Sequence, residues 1–279
     1  MSTLALYTWI VRSLKGIEGW SAVRASLVNA FRRINSRLAP KHPFDRKHGV
    51  DTDGLMYAEE LASGHTHDVY SAGYYGSAPS LVQGAIARWA ETLTGTRLEL
   101  SDYTLLDIGC GKGRVVMLAA ESPFRAVVGV ELHPGLARVA GKNLRKWLRK
   151  PRACRDVRIV QSDVLSLSFP DGPVAIYFFN PFEREMVELL LARLSALAAR
   201  RTEPIDLIYV HPEFGELVQS AQGVELLADV DVPFSEEDAR ADVFGVDSDR
   251  CAIYRLRGVG FSQVIRRGGQ DQGRPSPGV

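Results

Sequence analysis

Twelve residues, Tyr103 to Arg114 (YTLLDIGCGKGR), constrain this chain more than any others. Tyr103–Ile108 is a short apolar run with β-branched and aromatic members, which reads as a buried strand. Asp107 sits near its end, glycines then alternate at Gly109, Gly111 and Gly113, and VVMLAA opens a helix. Strand, glycine turn and helix start make a nucleotide-binding βα turn, because glycines let the backbone approach a ligand that a side chain would block. A dinucleotide fingerprint places glycines first, third and sixth, so that pyrophosphate meets the helix N-terminus. Here the sixth position is Arg114 and the third glycine comes one residue early. An acid just before the glycines repels a pyrophosphate and suits a ligand that carries an ammonium group.

The runs that follow narrow the ligand. Glu131 stands 24 residues after Asp107, at the end of AVVGVE. An acid at the tip of a second strand can accept both hydroxyls of a ribose. A third strand, DVRIV, runs into Gln161-Ser162-Asp163-Val164, and a fourth, VAIYFF, ends in Asn180-Pro181-Phe182. With D-x-G-x-G-x-G at its head, this series resembles the class I S-adenosylmethionine-dependent methyltransferases. The resemblance implies S-adenosylmethionine as cofactor, with Asp107, Gly109, Gly111 and Gly113 around its amino-acid end and Glu131 on the ribose. It places Asp163 on the adenine amine with Val164 beside it. It also makes Tyr74 and Tyr75 contacts from a covering segment before the first strand. From Tyr74 to Asn180, YYGSAPSLV and GVELHPGLARVA further resemble lysine methyltransferases outside the SET class.

From Tyr103 onward strands and helices alternate, which predicts an α/β, doubly wound, mostly parallel sheet with helices on both faces. Helices are expected at Ser77–Leu93, Pro134–Leu148 and Glu183–Ala199. Further strands are expected at IDLIYV, Val224–Val232 and Cys251–Leu256. The family likeness implies seven strands, the last inserted antiparallel between the fifth and sixth. Residues 1–76 read as an N-terminal helical arm and covering segment, with a short helical piece at Leu55–Leu61. Residues 77–265 read as the main domain, and 266–279, where Val279 is the one aliphatic residue, as a disordered tail.

Charge is uneven although the net is near zero. Residues 1–50 hold nine Lys or Arg against two acids, hence +7, so the rest carries −6. Apolar residues recur at helical spacing through residues 3–38 and basic ones line the opposite side. A covering arm is one reading, and contact with a membrane surface or an acidic partner is the other. No stretch approaches the ~20 apolar residues of a membrane span. Cys110, Cys154 and Cys251 are far apart and odd in number, which fits a reducing compartment and a cytoplasmic protein. Cys110 is read as packing. His65-Thr66-His67-Asp68 has the look of a metal site, but i, i+2 histidines in a loop with no further ligand cluster assign none.

Asp107, Glu131, Asp163, Asn180 and His211 all fall at strand C-termini, the rim where open sheets bind ligands. Asn180-Pro181-Phe182 resembles the Asn/Asp-Pro-Pro-Tyr/Phe motif of amino-group methyltransferases, without its second proline. That resemblance makes Asn180 an acceptor for the target nitrogen and Phe182 a packing surface. His211, at the same rim, is the candidate to take the proton. The segment Ser235–Asp249 holds six acids against Arg240 alone, and Glu183 and Glu185 follow the motif. A negative rim favours a cationic acceptor, a protein lysine or a small amine, and disfavours nucleic acid. Alternatives are an O- or C-methyltransferase of small molecules and a non-catalytic cofactor-binding or interaction module.

Overall fold

The computed structural model describes residues 41–257 apart from Lys150. Apart from Lys41, these residues belong to one compact unit that starts at His42. The expected basic arm and C-terminal tail lie outside the described residues.

Seven strands form the central sheet: β3 (Thr104–Ile108), β4 (Ala126–Glu131), β5 (Val157–Gln161), β6 (Val174–Phe179), β7 (Ile205–Val210), β8 (Val224–Pro233) and β9 (Ser248–Leu256). Their order is β5-β4-β3-β6-β7-β9-β8, and β9, between β7 and β8, is the one strand that runs against the direction of the other six. Two shorter strands, β1 (Leu55–Met56) and β2 (Tyr74–Tyr75), pair antiparallel in a ribbon of their own.

Strand β3 is buried along its whole length because both of its faces are covered. Period-two alternation sends Leu105 to one core and Leu106 and Ile108 to the other. The first core takes helices α2 (Pro79–Glu91), α3 (Arg114–Ala119) and α4 (Pro134–Trp147). The second takes α5 (Arg184–Ala198), which buries Met186, Val187, Leu190, Leu191 and Leu194 at helical spacing. Trp89 of α2 is fully buried, and its indole N–H donates to Asp206 Oδ2 at 2.9 Å. Arg255 grips the same carboxylate at 2.6 and 2.8 Å, which fixes β9 against β7 at the end of the sheet opposite the ligand rim.

Three stretches depart from the sequence reading. Residues 55–61 form strand β1 and a one-turn helix at Ala58–Glu60 rather than a longer helix, because Leu55 and Met56 pair with Tyr75 and Tyr74. After the short helix α6 (Gly215–Ser220), the acidic segment contains a helix, α7 (Glu236–Ala241), capped by Ser235. Its Asp238 is buried and accepts from the backbone and hydroxyl of Ser80 at 2.7 and 2.5 Å, so this acid anchors α2 instead of facing the rim. The boundary at residue 77 also moves, since the compact unit that contains the sheet starts at His42.

That last difference has a chemical cause. Arg114, at the start of α3, is 3% exposed. Its Nε donates to Thr52 Oγ1 at 2.7 Å, and its Nη1 donates to the carbonyls of Gly76 and Ser77 at 3.0 and 2.9 Å. Asn143 of α4 donates to the carbonyls of Asp51 and Lys112 and accepts from the Asp51 amide. Asp45, in helix α1 (Pro43–His48), accepts from both Thr52 and Asp53 amides. Residues 45–77 are thus stitched to the glycine turn.

Candidate active site

The strand order reverses between β3 and β6, since β4 and β5 lie to one side of β3 and the later strands to the other. Such a switch point leaves a crevice beyond the strand C-termini. The pocket there is lined from four directions: Asp107–Gly111 after β3, Val130–His133 after β4, Ser162–Val164 after β5, and Tyr177, Phe179, Pro181 and Phe182 from β6. Residues 71–77 line it as well.

The glycine turn is shaped by packing as well as by access. Gly109, Gly111 and Gly113 all have positive φ, at 72°, 53° and 86°. A Cβ on Gly111 would meet the Tyr74 ring at 2.2 Å, and one on Gly109 would meet Pro181 at 2.8 Å. Cys110 is buried in the core beside them, as a packing residue.

Three acids mark the ends of β3, β4 and β5. Asp107 is 3% exposed and its Oδ2 has no hydrogen-bond partner. Burial first, then the Glu131 charge, pushes its pKa well above the usual carboxylate range. Glu131 accepts from the amides of Gly111 at 2.7 Å and His133 at 2.8 Å. Burial nevertheless raises its pKa to about 7. Asp163 caps the turn after β5 and meets His67 Nδ1 at 3.2 Å. A buried carboxylate oxygen without a partner costs stability unless a ligand supplies a donor.

Tyr75, Asp107, Gly109, Gly111, Glu131, Asp163, Val164 and Phe182 therefore share one pocket, with Tyr74 beside them. Gly113 stands outside the lining, as the cap of α3 against Ala140. Asn180 and His211 also stand outside it. The amide of Asn180 donates to Glu213 at 2.8 Å and accepts from the Tyr209 hydroxyl at 2.9 Å. His211 Nδ1 pairs with Asp249 Oδ1 at 3.0 Å, which raises its pKa, and its ring meets Phe179 edge-on at 6.5 Å. Both residues have positive φ, 37° and 51°, an uncommon conformation outside glycine, in which Asn and His are enriched.

Residues 105–208 match the family model described as a methyltransferase domain. Over that span the chain carries a methyltransferase domain. The matched span of this methyltransferase domain runs from β3 into β7 and includes all three rim acids. No curated protein matches the chain. Among solved structures it is similar to TrmN from Thermus thermophilus, at 18% identity over 64% of this chain and 48% of that one, with TM-score 0.43. It is similar to magnesium protoporphyrin IX methyltransferase (ChlM) from Synechocystis with bound SAM, at 14% identity, 64% and 80% coverage and TM-score 0.42. It is also similar to the cyclase SpnF, at 17% identity, 62% and 82% coverage and TM-score 0.43. This chain spans about half the length of the TrmN structure.

S-adenosylmethionine is the cofactor such a domain takes, and the residues present fit it. The orphaned oxygen of Asp107 suits its ammonium, Glu131 its ribose hydroxyls and Asp163 its adenine amine.

Two site features were missed in the sequence. Arg114 was weighed only as a missing glycine, although a charged residue opening an apolar helix is itself a signal. His67 looked unsupported because its neighbour Asp163 is 96 residues away. With His65 these two place three metal-type ligand atoms within 4.8 Å of one another. His65 Nδ1 accepts the His67 amide, however, so in the neutral ring its Nε2 carries the proton and offers no lone pair. Among the described residues no helix is long and apolar enough to cross a membrane.

Proposed function

We propose that this protein transfers a methyl group from S-adenosylmethionine to an amine nucleophile, a protein lysine or a small amine. The observation that carries this reading is the make-up of the pocket's acceptor side. Tyr75, Phe179, Pro181 and Phe182 supply apolar and aromatic walls, and carboxylates stand one contact behind them. Asp242 accepts from the Tyr75 hydroxyl at 2.6 Å, and Asp249 backs His211 next to Phe179. Aromatic faces and nearby carboxylates suit an alkylammonium stem. They suit a phosphate backbone poorly, which makes nucleic acid the disfavoured acceptor.

Bound S-adenosylmethionine supplies an activated methyl group, so the chain's own work is to bind, align and exclude water. Glu131, Asp163 and Asp107 hold the cofactor, and the cover from Ser71 to Ser77 keeps solvent out. Phe182 packs on the incoming chain. An amine arrives protonated, and His211 Nε2 is the proton acceptor at the rim, with Nδ1 oriented by Asp249. The side chain of Asn180 is committed to Tyr209 and Glu213. In this proposal it shapes the turn that delivers Pro181 and Phe182 rather than meeting the nitrogen itself. Three free, buried cysteines are consistent with a cytoplasmic setting.

The test is transfer of a labelled methyl group into a lysate separated into protein, nucleic acid and small molecules. Base-stable label in protein or in amine metabolites is the expected result. Label in nucleic acid, or in base-labile esters alone, would overturn the amine assignment.

A further inference from the structure

Asp107 is not the only orphaned group at the switch point. Tyr177 of β6 is fully buried and lines the same pocket, and its hydroxyl has no hydrogen-bond partner. Strand register places Tyr177 directly beside Asp107 on parallel neighbours, so both side chains project to the same face of the sheet. The pair consists of one carboxyl oxygen, Oδ2 of Asp107, and one phenol oxygen, neither of which makes a hydrogen bond. Burial keeps the phenol protonated, well above its ordinary value, so it acts as a donor across the working pH range. The Ser77 hydroxyl is close enough to the phenol to interact with it but does not reach hydrogen-bond geometry, and Arg114, whose Nη2 makes no hydrogen bond and lies 3.8 Å from Asp45, completes the surroundings.

We infer that Tyr177 is a ligand-binding residue which, with Asp107, reads an α-amino-acid head group. Asp107 takes the ammonium and the Tyr177 hydroxyl donates to the carboxylate of the cofactor's methionyl end. A core tyrosine that only fills space needs no hydroxyl, and phenylalanine would serve there without an unpaired polar atom. The neighbouring positions on β6, Phe178 and Phe179, are indeed phenylalanines. A zwitterion matches the donor and acceptor side by side, whereas a simple amine would leave the phenol unanswered. Arg114 adds positive potential on the side where a carboxylate would lie.

This assignment rests on the cofactor reading, and its test separates the two. Tyr177→Phe and wild type are titrated calorimetrically with S-adenosylhomocysteine and with 5′-methylthioadenosine, which has the nucleoside but no amino-acid chain. The expected result is about 10- to 100-fold weaker binding of S-adenosylhomocysteine to Tyr177→Phe, the range for one hydrogen bond to a charged group. Binding of 5′-methylthioadenosine stays unchanged, which also shows that the variant is folded. The ligand-free variant melts at the same temperature as wild type or higher, because an unsatisfied buried hydroxyl has been removed. Equal affinity of both proteins for S-adenosylhomocysteine would overturn the assignment. So would parallel loss of both ligands, or a lower melting temperature, which would mark the hydroxyl as structural. If wild type binds neither nucleoside, the cofactor reading falls first and this inference with it.

Discussion

Cofactor affinity should fall on acidification through pH 7, and Glu131 is the reason. Its carboxylate is buried against the glycine turn and its pKa is raised to about 7. Ribose hydroxyls need an ionised acceptor, so the protonated form binds weakly. If only the ionised form binds, the dissociation constant is roughly doubled at pH 7 and roughly tenfold higher at pH 6 than at the alkaline limit. Asp107 is pushed well above the usual carboxylate range by burial and then by the Glu131 charge, so the acid limb near pH 7 is assigned to Glu131. The free protein responds with the opposite sign. A carboxyl raised from 4.5 to about 7 on folding opposes folding by about 3 kcal/mol above pH 7, and this cost is relieved as pH falls toward 4.5. Acidification from pH 7.5 to 5.5 should therefore raise the contribution of this site to apo stability while weakening cofactor binding. Calorimetric titration across that range, paired with denaturant unfolding of the apo protein, checks both arms. Glu131→Gln should weaken binding by about 10-fold or more, since the amide must turn its NH2 toward the N–H of Gly111 or His133. It should also flatten the acid limb. A dissociation constant that is constant from pH 6 to 8, or one that falls on acidification, would refute the reasoning.

Two further outcomes are expected. Arg114→Met removes the guanidinium bonds to Thr52, Gly76 and Ser77 and should destabilise the protein by about 3 kcal/mol, with amides of residues 52–77 exchanging faster than those of β3 and β6. Arg114→Lys should restore little, lacking the fork, and unchanged protection in Arg114→Met would remove its fastening role. Asp249→Asn should lower the pKa of His211 toward 6.5 and shift the acid limb of methyl transfer to lower pH. An unmoved pH–rate profile would take His211 out of proton transfer.

Much of the fold is local information. The alternation of apolar runs with helical repeats specified the parallel sheet, because a strand buried on both faces reads as a continuous apolar stretch and a helix on one face reads at 3.6 spacing. Strand β1 escaped notice because two residues have no period, and they are a strand only through Tyr74 and Tyr75. Helix α7 was hidden in a run of acids whose most buried member, Asp238, bonds to Ser80, 158 residues away. No local pattern encodes a partner at that distance.

The pocket divides along the same line. By itself the sequence determined which residues end the strands: Asp107, Glu131 and Asp163 sit at tips that any parallel sheet brings to one rim, and the glycines between them need positive φ whatever surrounds them. Only the tertiary structure decided which side chains face the ligand and which are spent on other partners. It turned Asn180 toward Tyr209 and Glu213 and left Tyr177 and Asp107 unpaired side by side. It also used Arg114 to bind a segment some forty to seventy residues upstream over the glycine turn. The reason is physical. Backbone conformation depends on neighbours in sequence, whereas the partner of a buried polar group depends on whichever strand or loop the fold lays beside it.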